Sequence, residues 1–164
     1  MSTNSGSIQY EEFCAELVDA QSEVLESWFE DEAQLSGGAG KRIMKTRATP
    51  VADRASLLEL TAESVTIRST GHSWCLAEGG ACVGEGVYEA IRCGTCSDGV
   101  IDDTYKQVWQ GIHFHNLELL KLKDCGPAVE QRAKRVVEQS AQVLRDLGVE
   151  VPTFSSDMKV EENL

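Results

Sequence analysis

The 164-residue sequence has no apolar run long enough to cross a membrane and no excess of positive charge. A spanning helix needs about 20 consecutive apolar residues, so we expect no membrane helix and no membrane partner. The sequence has 15 lysines and arginines against 27 aspartates and glutamates, a formal net charge of −12. Nucleic-acid phosphates repel a whole protein of this charge. The balance argues against a free-standing DNA-binding protein, but it leaves room for a local basic patch.

The sequence also lacks the short motifs that mark common catalytic sites. It has no phosphate-binding loop, no Gly-x-Ser-x-Gly, no His-Glu-x-x-His and no dinucleotide fingerprint. The acidic pair Asp102 and Asp103 suits a helix cap better than a general base. We therefore predict that the chain is not an enzyme.

An export signal is missing as well. The first ten residues, MSTNSGSIQY, are polar and lack the basic and apolar regions of a signal peptide. We therefore expect a cytoplasmic protein. In a reducing compartment, cysteines are thiols or metal ligands more often than disulfides.

The most informative feature that is present is a group of four cysteines, Cys75, Cys82, Cys93 and Cys96. The last two form a Cys-x-x-Cys knuckle. Four thiolates around a tetrahedral ion make a structural zinc site, with no position left open for chemistry. His72 is the alternative fourth ligand, and the sequence does not separate zinc from iron. The segment is rich in glycine and poor in large apolar residues, so a metal can hold it in place of a core.

Apolar residues recur at helical spacing along three stretches, at about 8–32, 103–123 and 127–147. The Cys125-Gly126-Pro127 joint ends one helix and starts the next, which predicts an antiparallel helix hairpin. A further helix is predicted from Thr49-Pro50 to about residue 63. Short strands are predicted at 64–69 and 87–91, which would form a small hairpin around the metal.

These patterns predict which side chains face the core. In the first helix they are Tyr10, Phe13, Leu17, Val24, Trp28 and Phe29. In the second they are Tyr105, Val108, Trp109, Ile112, Asn116, Leu119 and Leu120. In the last they are Val129, Ala133, Val136, Val137, Leu144 and Leu147.

The predicted fold is therefore mainly α: a helical bundle with a long N-terminal helix, a C-terminal antiparallel helix hairpin and a small loop or β-hairpin insert held by zinc on four cysteines. We expect a disordered start at 1–7, one helical domain at 8–150 with its zinc segment at 72–99, and a flexible tail at 151–164. The stretch Ser36-Gly37-Gly38-Ala39-Gly40 is expected to break the first helix.

The densest positive run follows that break and contains Lys41, Arg42, Lys45 and Arg47. Such a run can bind a phosphate or an acidic partner. It can also balance the acidic first helix across a packed pair, which is the interpretation we favour.

Two other features carry weaker predictions. His113 and His115 lie on one predicted helix, where residues two apart point about 200° from each other, so they do not easily share an ion. One should face the interior and the other solvent. Cys14 and Cys125 are isolated and are expected to act as small buried hydrophobic residues.

Two stretches together resemble a known family. They are GHSWCLAEGGACVGEGVYEAIRCGTCSDGVID and VWQGIHFHNLELLKLKDCGPAVEQRAKRVV, preceded by an acidic helix and SGGAGKRIMKTR. This arrangement resembles the region after the catalytic domain in some large bacterial site-specific tyrosine recombinases, the integrases of phages and mobile elements. The resemblance covers roughly residues 8–150. Tyr10, Tyr88 and Tyr105 lack the arginine and histidine pattern of the family's catalytic domain, so no catalytic residue is transferred.

The sequence thus predicts a non-catalytic, zinc-binding accessory or interaction module associated with site-specific recombination of a mobile element. Its partner would be a protein, or DNA reached through a local basic patch or an attached recombinase domain. Two alternatives remain open. One is a redox- or metal-responsive thiol sensor, and the other is an acidic phage-type inhibitor or DNA mimic.

Overall fold

The computed structural model describes residues 5–47, 61, 65–78, 82, 90–122, 124 and 126–152. In this part of the chain the helices are α1 (Ser5–Phe29), α2 (Gly37–Arg47), α3 (Lys106–Lys121) and α4 (Pro127–Asp146). Three two-residue strands, β1 (Arg68–Ser69), β2 (Trp74–Cys75) and β3 (Gly99–Val100), form an antiparallel sheet in the order β1-β2-β3. Short 3₁₀ turns span Ala90–Gly94 and Asp103–Tyr105. The predicted mainly α fold with a small β insert is confirmed.

None of the helices in these described ranges is long and apolar enough to span a membrane. Several predicted features lie wholly or partly outside the ranges: the helix from Thr49-Pro50, residues 87–89 of the second strand, Cys125, and the tail from residue 153.

Helix α1 buries only the C-terminal half of its predicted apolar stripe. Trp28 is 1% exposed and Val24 and Phe29 are half-buried, whereas Tyr10, Phe13 and Leu17 are 69%, 62% and 44% exposed. Leu25, which was not predicted to face the core, is 2% exposed. The prediction that Tyr10, Phe13 and Leu17 face the core is wrong. Periodicity identifies the apolar face of a helix, but a neighbouring element must be present to cover it.

The ends of α1 also differ from the prediction. The helix begins at Ser5, so residues 5–7 of the expected disordered start are helical, and residues 1–4 lie outside the described ranges. It ends at Phe29, and the connection 30–36 forms the break. The glycines from Gly37 onward, which were expected to interrupt the first helix, instead form the first turn of α2.

Helices α3 and α4 pack along each other as the predicted hairpin, with Gly126 at a φ of 74° and Pro127 as the first residue of α4. In α3 the buried side chains are Trp109, His113 and Leu117. Val108 and Val129, which were expected inside, are 40% and 45% exposed. The buried face of α3 is therefore rotated slightly from the one that counting apolar residues predicts.

In the part of the chain that the structure describes, two apolar clusters of the core meet at the end of β3. Val100 lies in the first cluster, with Leu25, Trp28, Leu35 and Ala39. Ile101 lies in the second, with Tyr105, Trp109, Val143, Leu144 and Leu147. Successive side chains of an extended chain point to opposite sides. Two consecutive residues therefore contribute one side chain to each cluster.

The small sheet is not the hairpin that the sequence predicts. Arg68–Ser69 lies in the expected first strand, but it pairs with Trp74–Cys75. The central strand β2 then pairs with Gly99–Val100. The predicted strand at 87–91 is wrong at Ala90 and Ile91, which form a 3₁₀ turn. Pairing between distant segments is not fixed by local alternation.

Candidate metal-binding site

The sheet brings Cys75 beside the Cys93–Cys96 knuckle. Cys75 pairs with Gly99 across β2 and β3, and the Leu76 amide donates to the Asp98 carbonyl at 2.9 Å. The knuckle lies at the end of the 3₁₀ turn Ala90–Gly94, directly before β3. Three of the four predicted thiol ligands therefore lie in or next to neighbouring strands.

His72 contacts the knuckle directly. Its Nε2 atom lies 3.3 Å from the Sγ atom of Cys93. Two neighbouring ligands of a tetrahedral zinc, at roughly 2.0 Å for nitrogen and 2.3 Å for sulfur, are about 3.6 Å apart. The pair is therefore spaced close to two corners of such a site. The Trp109 indole donates to the His72 carbonyl at 2.8 Å and fixes the backbone of this ligand.

The surroundings of the Cys93 thiol raise its pKa above the ordinary value. Burial raises the pKa of the Cys93 thiol, a hydrogen bond with the Ser73 side chain lowers it, and Cys96, Cys82 and Cys75 raise it further. All four cysteines singled out in the sequence are thus electrostatic neighbours. A bound cation would reverse this effect, because it stabilises the thiolate form.

The protonation state of the His72 imidazole also favours metal binding. Burial lowers the pKa of its imidazole, and a hydrogen bond to the Thr70 backbone partly offsets this. Metals bind the neutral imidazole, so a lowered pKa keeps the ring in the form that binds.

The predicted ligands lie in one region, but their donor atoms do not surround a single position. Within the described ranges, no group of three or more His, Cys, Asp or Glu side chains is close enough together to hold an ion. Cys82 is exposed, while Cys75, Cys93 and Cys96 are half-buried free thiols. The Asp98 amide points at the Cys96 sulfur at 3.5 Å. An ion would have to draw the remaining thiols toward the His72–Cys93 pair.

The first turn of α2 lies directly against the knuckle. The Gly38 amide donates to the Cys96 carbonyl at 2.9 Å. A Cβ atom on Gly37 would lie 2.3 Å from the Gly99 carbonyl oxygen, and one on Gly38 would lie 2.7 Å from that of Cys96. Only glycine allows this approach. This role of the two glycines was not predicted, although glycines inside a helical turn are a signal that indicates such a close contact.

Asp102 joins the sheet to α1. Its Oδ2 atom accepts the indole N–H of both Trp28 and Trp74 at 2.8 Å, and its Oδ1 atom accepts the Thr104 amide at 3.1 Å. The cap predicted at Asp102 or Asp103 is found at Asp102, on the 3₁₀ turn Asp103–Tyr105 that leads into α3. The two indole bonds were not predicted, because their donors lie 74 and 28 positions away in the chain.

Two of the four basic residues of α2 are engaged within the molecule. Lys41 pairs with Asp146 of α4 at 2.9 Å. Arg47 donates to the carbonyls of Glu30 and Ala33, just beyond the end of α1. Arg42 and Lys45 are exposed, so a phosphate or partner contact remains a prediction for these two residues.

His113 and His115 point to opposite sides of α3, as predicted. His113 is fully buried, 2.9 Å from the Ser140 hydroxyl and 2.8 Å from the Pro152 carbonyl, while His115 is exposed. His113 therefore ties α3 to α4 and to the chain that follows α4.

Comparison with known protein families, with curated proteins and with solved structures found no match. The resemblance to the recombinase extension thus remains a prediction from the sequence.

Proposed function

We propose that this chain is a non-catalytic interaction module whose central segment is held by one structural zinc ion. The contact between His72 and Cys93 carries the proposal, because it places a nitrogen and a sulfur donor at near-ligand spacing. Cys75 lies on the central strand β2, and Cys96 lies three residues after Cys93 in the knuckle that precedes β3. Cys75, Cys93 and Cys96 are the thiol ligands. His72 is the fourth ligand, ahead of the exposed Cys82 that the sequence alone ranked first.

The donor set fits zinc. Soft thiolates with one imidazole match a tetrahedral zinc site, and four protein ligands leave no open position for a substrate. The bound ion would supply a cross-link between the turn at His72, strand β2 and the knuckle. Strand β3 follows the knuckle and carries Val100 of the first apolar cluster, and the next residue, Ile101, belongs to the second. The cross-link would therefore fix how the two clusters pack against each other.

The first experiment measures zinc content and affinity of the full chain. We expect one zinc per chain by elemental analysis, and three-thiolate, one-imidazole absorption after cobalt substitution. His72→Asn should weaken zinc binding on the order of 10²-fold or more, because it removes a ligand. Cys82→Ser is the matched control and should leave the affinity unchanged. A metal-free chain, or loss of zinc with Cys82→Ser but not with His72→Asn, would contradict this ligand set.

The second experiment locates the effect of metal removal. With a chelator present, hydrogen exchange should accelerate in residues 68–78 and 90–101, while the amides of α3 and α4 remain protected. The helix pair has a long apolar interface of its own, whereas the strands have two residues each and contribute only Trp74 and Val100 to apolar clusters that other elements complete. Unchanged exchange in the sheet would show that no metal holds it.

We also propose that the module serves site-specific recombination, and the resemblance of the two quoted stretches supports this. A gel-shift titration separates the candidates. Salt-dependent binding to duplex DNA supports recombination. Competition with DNA for a DNA-binding partner would support the acidic mimic instead.

A thiol sensor is the second candidate, favoured by the exposure of Cys82 close to Cys93. The Cys82 thiol and the zinc-bound Cys93 thiolate would give two electrons to one peroxide and form a disulfide. One proton from Cys82 and one from solvent complete two water molecules, and loss of the Cys93 ligand releases the ion. Substoichiometric peroxide should then release zinc, and a thiol reductant should restore binding. If zinc stays bound until the protein unfolds, the sensor function is excluded.

A further inference from the structure

The N-terminal half of α1 is an exposed helix with one apolar face. Tyr10, Phe13 and Leu17 recur at helical spacing and are 69%, 62% and 44% exposed. From Ser5 to Ala20 the helix carries four carboxylates and no lysine or arginine. We call this stretch the acidic half-helix. Its apolar face spans about 10 Å from Tyr10 to Leu17, because the helix rises 1.5 Å per residue.

This half-helix has little support from the rest of the described structure. Among the residues of α1 whose burial the structure describes (10 and 12–29), those that pack on the core begin at Val18, and the first buried one is Gln21. A short helix that buries no face is marginal in water, since most helical stability comes from covering the apolar face. Two aromatic side chains on such a face are expected to meet a partner surface.

A groove of opposite charge lies between α3, α4 and the 3₁₀ turn Ala90–Gly94. Two adjoining cavities of about 310 and 240 Å³ share Arg132 and Val136. Ile112 and Leu119 of α3 line the second cavity, and Arg135 lines the first. We call this surface the basic groove. Among the described residues that line the two cavities there are two arginines, Arg132 and Arg135, and no carboxylate, in a chain whose net charge is −12.

We propose that the acidic half-helix of one copy docks in the basic groove of a second copy and forms a homodimer. Tyr10, Phe13 and Leu17 would cover the apolar floor, as amphipathic helices do in hydrophobic grooves. The carboxylates of the half-helix would face the groove arginines. If both copies exchange their half-helices, a twofold axis closes the assembly at two chains.

Charge decides between this arrangement and pairing of two α1 helices. Pairing α1 with α1 would bring four carboxylates against four, without a cation between residues 5 and 20. Like-charge juxtaposition disfavours a complex, whereas opposite patches steer and stabilise one. The groove of a second copy offers both the apolar floor and the cations.

The test is the mass of the full chain by sedimentation and light scattering over a range of concentrations. We expect a dimer whose dissociation constant rises with salt. Phe13→Glu and Arg135→Glu should each raise that constant on the order of 10²-fold, because each places a charge of the wrong kind in the interface. Phe114→Glu and Arg145→Glu are matched controls at exposed positions on α3 and α4, and both should stay dimeric.

Mixing the two disrupted variants sharpens the test. A Phe13→Glu chain keeps its groove and an Arg135→Glu chain keeps its half-helix, so the mixture should recover one intact contact and associate more strongly than either variant alone. A dimer that ignores Arg135→Glu would indicate α1–α1 pairing and overturn the proposal. A monomeric wild type would also overturn it, and loss of stability in Phe13→Glu would then show that the same chain covers the half-helix.

Discussion

The helix pair α3–α4 and the described segments of 68–101, which we call the cysteine sheet, share one core but bury different surfaces. The helix pair buries large apolar side chains such as Trp109, Val137 and Leu144. In the cysteine sheet the buried side chains include His72 and Ser73, and its strands have two residues each. Apolar packing tolerates many substitutions, because different arrangements of apolar side chains bury a similar area. The sheet instead depends on close contacts between backbone segments and on specific hydrogen bonds. A single added atom can disrupt such contacts.

This difference predicts where the molecule tolerates change. Three-stranded sheets with so few residues do not hold themselves in water. Here the anchors are the two indole bonds to Asp102, the glycine contact with α2 and, in our proposal, the zinc ion. Substitutions at these anchors should cost far more than similar changes on the helix pair.

The largest effect is expected from Gly37→Ala. Gly37 has a φ of +82°, and an added Cβ would meet the Gly99 carbonyl at 2.3 Å. Backbone strain and the clash together should lower the free energy of unfolding by about 4 kcal/mol. Gly111→Ala is the control in the middle of α3, where a Cβ meets nothing within 4 Å, and it should stabilise by about 0.5–1 kcal/mol. Urea unfolding followed by circular dichroism measures the free energy of unfolding of both variants. Equal changes in the two variants would contradict the expected difference between the cysteine sheet and the helix pair.

A slightly smaller effect is expected from Asp102→Ala. The substitution leaves the indole N–H groups of Trp28 and Trp74 without their acceptor and removes a helix cap, at a cost of about 3 kcal/mol. Asp103→Ala, one residue away, removes only an exposed pair with Lys106 and should cost under about 0.5 kcal/mol. Tryptophan fluorescence during unfolding reports the first change directly. Similar losses in the two variants would show that the indole bonds do not anchor the sheet.

The smallest effect concerns Asp146, which links α4 to Ser36 and α2. Burial alone would raise the pKa of Asp146, but hydrogen bonds from Lys41, Ser36 and Gln142 outweigh it and hold this pKa below its ordinary 3.8. Because the folded pKa is the lower one, Asp146 contributes stability above about pH 3.8, and the contribution is lost as pH falls through the folded pKa.

Asp146→Asn should therefore cost about 1 kcal/mol at pH 7, and the gap to the wild type should close below pH 4. Lys41→Met keeps the carboxylate but removes its cation, so it should move the Asp146 transition in an NMR titration to higher pH. A gap that is independent of pH would show that the charge of Asp146 contributes nothing.

The sequence predicted the parts of the fold that depend on neighbouring residues. The α3–α4 hairpin follows from Gly126-Pro127 and two periodic stretches, and the Asp102 cap follows from a local side-chain preference. The buried half of α1 and the strand partner of Trp74–Cys75 depend on which distant segments come together. Local patterns do not contain that information.

The candidate site was also predicted only in part. Spacing alone singled out Cys75, Cys82, Cys93, Cys96 and His72 as possible ligands, because thiols and imidazole are the donors that zinc prefers. Only the tertiary structure placed His72 against Cys93 and left Cys82 exposed, since 21 residues separate the first pair in the chain.

By itself the sequence determined the helical class, the hairpin joint, the acidic charge and the list of donors, because each follows from residue type and short-range spacing. The tertiary structure decided which apolar faces are covered, which glycines carry a close contact and which donors meet. These outcomes depend on distances between segments far apart in the chain, and packing rather than composition sets those distances.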